Sequence, residues 1–152
     1  MAQKGSHTNK LFWAVVADEA RAIVYGHDTK SGPLRKVATL DNEVARMKAS
    51  ELVSDRGGRS FDSGGEGRHG MGQKVDPHRQ AAARFAKTVA LRISKAKHSG
   101  ACRDFALVAS PRFLGELRAA LNTMPTVDPY LEIDKDMVAA DAEAIRKLMD
   151  SA

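Results

Sequence analysis

The residues best suited to chemistry fall in one stretch, "SDRGGRSFDSGGEGRHGMGQKVDPHRQ", Ser54 to Gln80. It holds Gly57, Gly58, Gly64, Gly65, Gly67, Gly70 and Gly72, more than half of the twelve glycines in the chain. Among them stand five cations, Arg56, Arg59, Arg68, Lys74 and Arg79, and almost nothing apolar. Glycine lets a backbone approach a ligand without a Cβ in the way. Arginine and lysine attract phosphates. The combination predicts a cationic finger with exposed amides that contacts a polyanion. Ordering more than twenty residues costs tens of kcal/mol at about 1–2 kcal/mol each, so the segment is expected to be disordered when free. The alternative is a flexible linker without a ligand.

Other chemistries fit less well. "GEGRHG", Gly65 to Gly70, matches G-x-G-x-x-G in form. A dinucleotide site needs a strand before it and an acid about 20 residues on, and residues 87–97 contain no acid. Gly67 and Gly72 have phosphate-loop spacing, but Gln73 follows where that loop needs lysine. His69 and His78, with Asp62, Glu66 and Asp76, match no rigid metal-ligand pattern. A two-metal nuclease needs carboxylates converging on strand ends. Asp18 is the one acid so placed, since Ser110–Pro111 closes the fourth strand and no acid lies between Asp76 and Asp104. Asp18 therefore reads as a turn residue. Cys102, the sole cysteine, reads as a small apolar residue just ahead of a strand, and its solitude excludes an intrachain disulfide. No metal and no cofactor are expected.

The elements around the segment are legible from periodicity. "LFWAVVAD" (11–18) is a continuous apolar run, as in a central buried strand. "ARAIVYGHD" follows, with Ala22, Val24 and Gly26 alternating against Ile23 and Tyr25, and a turn near Asp18–Glu19 makes a hairpin. "LRKVATLDN" predicts a third, more exposed strand with Leu34, Val37 and Leu40 apolar. Residues 42–53 predict a short helix or an irregular connection. From Asp76 and Pro77 runs the strongest helix signal, with Ala82, Phe85, Ala86, Val89 and Ile93 as its apolar stripe and Gly100 as its stop. "DFALVAS" (104–110) predicts a strand, and "PRFLGELRAALN" (111–122) a helix with Phe113, Leu114, Leu117 and Leu121 inward. "YLEID" predicts a fifth strand, and "VAADAEAIRKLMDS" a last helix with Val138, Ile145, Leu148 and Met149 apolar. The order β-β-β-α-β-α-β-α implies one α/β domain over 11–152, a mixed five-stranded sheet flanked by helices in ribonuclease-H-like order.

At 152 residues, 43% apolar and 28% charged, the chain has room for a real core. A net charge of +5 favours polyanionic partners such as RNA or the ribosome. Residues 1–10 read as a flexible tail. No secretory signal and no apolar run near the roughly 20 residues of a membrane span are present, so a cytoplasmic location is expected.

Two resemblances attach to these residues. "WAVVADEARAIVYG" (Trp13 to Gly26), "ELVSDRGGRSF", "DPHRQAAARFAKTVA", "FALVASPRFLGELRAAL" and "EIDKDM" resemble the bacterial family required for attachment to host cells, over nearly the whole chain. More distantly, "GRHGMGQKVDPHRQAAARFA" is similar to the middle domain of the archaeal and eukaryotic peptide-chain release factor. There a basic loop ending in Gly-Gly-Gln runs into a helix containing Arg-Phe-Ala. Gly72 and Gln73 match the second glycine and the glutamine, and Arg84, Phe85 and Ala86 match the helix. Met71 stands where the first glycine belongs, and "KVDPHRQ" lengthens the path to the helix. The resemblance implies that Gln73 positions water for attack on a peptidyl-tRNA ester, and that Gly72 gives its backbone access.

Together these readings predict a non-enzymatic or marginally catalytic domain of the host-attachment family that binds RNA or the ribosome, with rRNA or tRNA phosphates held by Arg56, Arg59, Arg68, Lys74, Arg79 and Arg84. The alternatives are a ribosome-rescue factor that hydrolyses peptidyl-tRNA through Gly72 and Gln73, and a protein-interaction module acting indirectly in attachment.

Overall fold

The computed structural model describes residues 11–45, 47, 76–124 and 127–152. Five strands form one sheet in the order β3-β2-β1-β4-β5: β1 Leu11–Ala17, β2 Arg21–His27, β3 Arg35–Asp41, β4 Cys102–Ala109 and β5 Leu131–Asp134. β1 pairs antiparallel with β2, and β2 with β3; β1–β4 and β4–β5 are parallel. Three helices complete the described fold: α1 Pro77–Ser99, α2 Pro111–Leu121 and α3 Ala142–Asp150. The predicted single α/β domain with a mixed five-stranded sheet is what the chain forms.

The central strand shows why. Trp13 to Ala17 are buried without interruption, because β1 has a neighbour on each side and helices on both faces. Alternation divides it. Trp13, Val15 and Ala17 point with Ala22, Val24, Phe105 and Leu107 into a core shared with α1 and α2. Ala14 and Val16 point with Ile23, Tyr25, Ala106 and Val108 toward Ile145 and Met149 of α3. The helical stripe of α1 is buried as its spacing predicts, and Phe85 stacks on Phe113 of α2 at 5.8 Å between ring centroids.

Local chemistry sets the helix limits. Asp76 accepts from the His78 backbone N–H at 3.0 Å, Pro77 stands at the first helical position, and Gly100 takes φ 90° to end α1. Residues 77–80 are thus the first turn of α1. Arg79 is therefore a helix residue, as the signal from Asp76 and Pro77 predicts. The last helix begins at Ala142 rather than near Val138, since the Asp141 carboxylate accepts from the Ala144 N–H at 2.9 Å and caps it. Val138 still packs on the α3 core from the preceding loop. β4 begins two residues earlier than its apolar run, and Cys102 is its buried first residue.

β3 is the more exposed strand foreseen, and it stands at the edge of the sheet, but the apolar residues expected to line it do not share a face. Leu34 packs on the α3 side and Leu40 on the α1 side. A register shift opposite Val24/Tyr25 leaves Val37 as the extra residue of a bulge, 46% exposed. Two side-chain links fasten the periphery. Arg118 of α2 pairs with Glu132 of β5 at 2.6 Å. Arg146 of α3 donates to the Gly32 carbonyl at 3.0 Å while paired with Asp150. Gly32 lies against the His27 ring so closely that a Cβ would meet Cε1 at 1.9 Å.

Two outcomes follow from this packing. Phe85→Ala removes a stacked ring from the larger core and is expected to lower unfolding free energy by about 3–5 kcal/mol, read as a fall in urea midpoint. Burial pushes the Cys102 thiol up from 9.0 to about 12. Above pH 9 the unfolded chain sheds this proton while the folded chain keeps it, so the contribution of Cys102 to stability is complete below pH 9 and falls as pH rises toward 12. The stability difference between wild type and Cys102→Ala should therefore drift against wild type by up to about 1.4 kcal/mol per pH unit in that window. A pH-independent difference contradicts it.

Candidate functional site

In open α/β sheets ligands bind outside the carboxyl ends of the parallel strands. Here β1 and β4 end side by side at Ala17 and Ala109, and the Ser110 N–H donates to the Ala17 carbonyl at 3.3 Å. Three segments converge beyond them. The first is the turn after β1, where the Asp18 carboxylate accepts from the Ala20 and Arg21 N–H groups at 2.8 and 2.9 Å. Asp18 is thereby occupied as a turn residue. The second is the end of β3. Asn42, buried, donates from Nδ2 to the Glu19 carbonyl at 2.9 Å and accepts from the Ala45 N–H at 3.3 Å, so it binds the turn to the helical residues 43–45. The third is the pair of helix starts, α1 at Pro77 and α2 at Pro111.

These segments enclose an open hollow of about 560 Å³. Glu19, Asn42 and Ala45 line one side, Asp76, His78 and Arg79 another, and Arg112 closes it from α2. Ala45, ahead of the undescribed residues 48–75, and Asp76, just after them, both line the hollow. The electrostatics are unusual for helix starts. Neither α1 nor α2 has an acid in its first turn, and Arg79 and Arg112 stand there instead. A cation at the positive end of a helix is unfavourable by a few tenths to about 1 kcal/mol; at α1 the capping Asp76 carboxylate offsets it, whereas the first turn of α2 has no acid. Ser110, at the cap position of α2, makes no side-chain cap bond, and its hydroxyl oxygen is buried without a partner.

Two smaller hollows continue along α1. One, of about 250 Å³, is lined by Asp41, Asn42 and Glu43 opposite Arg84, Phe85 and Thr88. The next, of about 320 Å³, is lined by Leu40, Thr88, Leu91, Arg92 and Lys95. Shared Asn42 and Ala81, then shared Thr88, make the three a single groove between α1 and β3.

Of the residues predicted to hold phosphates, Arg79 lines the mouth and Arg84 the adjoining hollow, both exposed on α1. Arg56, Arg59, Arg68, Gly72, Gln73 and Lys74 lie outside the described residues, as do His69, Asp62 and Glu66. Among the described residues no three His, Cys, Asp or Glu side chains gather as a metal would require, and no helix is long and apolar enough to cross a membrane. Sequence reading missed Arg112, Asn42 and Glu19, which no local motif joins. It also undervalued α1. That helix carries Arg79, Arg84, Lys87, Arg92, Lys95 and Lys97 and no acid, a formal +6 against +5 for the whole chain. The glycine-rich stretch, by contrast, sets Asp55, Asp62, Glu66 and Asp76 against its five cations.

Asn42 is the joint of this site. Asn42→Ala strips the Glu19 carbonyl of its donor and the Ala45 N–H of its acceptor, with an expected loss of about 1–3 kcal/mol. Urea unfolding measures the loss, and faster amide exchange at Ala45 locates it.

A search of curated proteins found no match. Residues 13–149 match the model of the family described as protein required for attachment to host cells, from the first core residue of β1 to the last of α3. The chain belongs to that family.

Proposed function

We propose that this member of the host-attachment family is an RNA-binding domain that engages rRNA or tRNA phosphates, and acts in attachment indirectly through translation. The observation that carries this reading is the mouth of the groove, where two helix starts bear Arg79 and Arg112. Backbone N–H groups at helix starts and flexible arginines are the usual means of holding phosphate. The net +6 of α1 raises the local potential and draws a polyanion toward the mouth. Arg56, Arg59, Arg68 and Lys74 add phosphate contacts in this reading. The ribonuclease-H-like and release-factor-like ancestry of the sheet belongs to the same proposal, supported by the order of elements alone.

The test is fluorescence anisotropy with an RNA of about 20 nucleotides across a salt series. Affinity should fall steeply with salt. The double variant Arg79→Ala/Arg112→Ala should weaken binding equally for unrelated sequences and flatten the log–log salt slope by about 1–2, one released counterion per lost contact. An affinity indifferent to salt, or to the double variant, refutes the proposal.

A further inference from the structure

We infer that the far end of the groove, between α1 and β3, is a docking site for an acidic amphipathic helix of a partner protein. This inference is independent of the RNA reading, which concerns the mouth.

Two exposed apolar side chains line the groove: Leu91 of α1, 54% exposed, and Val44 just beyond β3, 41% exposed. The other two among the described residues, Val37 and Met47, are not among the residues that line it. Leu91 lines the outer hollow with Leu40, and Val44 lines the one before it. α1 and α2 cover the sheet over β1, β2 and β4, whereas β3 stays mostly exposed. A further helix laid beside α1 would bury Leu40 and Leu91 at the usual helix spacing of about 8–10 Å.

Charge says what that helix is. The outer hollow is rimmed by Arg92 and Lys95, with no acid among the described residues that line it. An apolar stripe flanked by carboxylates complements it. The chain's own undescribed segments do not: residues 1–10 hold Lys4 and Lys10 and no acid, and residues 48–75 hold five cations against four acids. A second copy, net +5, is repelled. RNA is the poorer occupant at this end. Exposed aromatic side chains, on which unpaired bases stack, are missing from the described residues that line it, and Leu91 offers nothing to a phosphate.

The probe is a synthetic amphipathic helix of about 18 residues, leucine along one face and glutamate flanking it, titrated into the full chain labelled for amide NMR. Saturable shifts confined to Leu40, Thr88, Leu91 and Lys95 are expected. Leu91→Gln, an exposed change that leaves the core intact, should weaken binding about fivefold or more. Arg92→Glu/Lys95→Glu should do the same, and Arg79→Ala/Arg112→Ala should leave binding unchanged. A control peptide with serine for leucine should not bind. Equal binding of the control, diffuse shifts, no binding, or displacement of the peptide by an RNA oligonucleotide at Leu91 each overturns the inference. Because the peptide assay contains no RNA in its first arm, its failure and the failure of RNA binding are separately visible.

Discussion

Everything in this fold answers to one requirement: β1 must be dry on both faces. Ala14 to Ala17 have no solvent contact at all. A strand so apolar cannot stand at an edge, so β2 and β4 flank it. Nor can either face of it remain bare. The larger face is closed by α1 and α2, locked by Phe85 against Phe113, and the other by α3. The covering is unequal. Two helices serve one side and a nine-residue helix the other, where Tyr130, Leu131, Ile133 and Met137 fill in around Ile145 and Met149.

That requirement also fixes where charge can go. α1 must give one full stripe, from Ala81 to Ala96, to the core. Its remaining positions face water, and six of them are arginine or lysine. The rest of the chain is then formally −1. Basicity is therefore a property of one helix, placed by the core along a groove that runs from the carboxyl edge of the sheet to its outer strand. The groove changes character on the way: polar and mixed in charge near Asn42, apolar with a cationic rim near Leu91.

Much of this architecture is legible in the residues. Asp76, Pro77 and Gly100 bracket α1 because caps act locally, and the strands announce themselves because burial on both faces or one leaves a period-two trace. Errors arise where two local signals compete. The apolar residues before Asp141 extend the stripe of α3, yet the carboxylate cap decides the start. Polar Arg103 and Asp104 hide the first residues of β4, which pairing with β1 nevertheless makes strand. The mouth is illegible for a different reason. Glu19, Asn42, Arg79 and Arg112 are brought together by sheet order, and no spacing along the chain encodes that. The glycine-rich stretch drew attention by composition, whereas the stronger electrostatic signal was a missing residue type: twenty-three helical positions without one acid.

The bulge at Val37 has a consequence for how the protein behaves in a crowded solution. A straight outer strand with free amides invites another molecule's edge and, repeated, a fibril. Here the extra residue breaks the regular ladder, and Arg35 and Lys36 beside it make an approaching copy pay in repulsion. Straightening that edge, by deleting Val37 and neutralising the two neighbours, would remove both of these obstacles to edge-to-edge pairing.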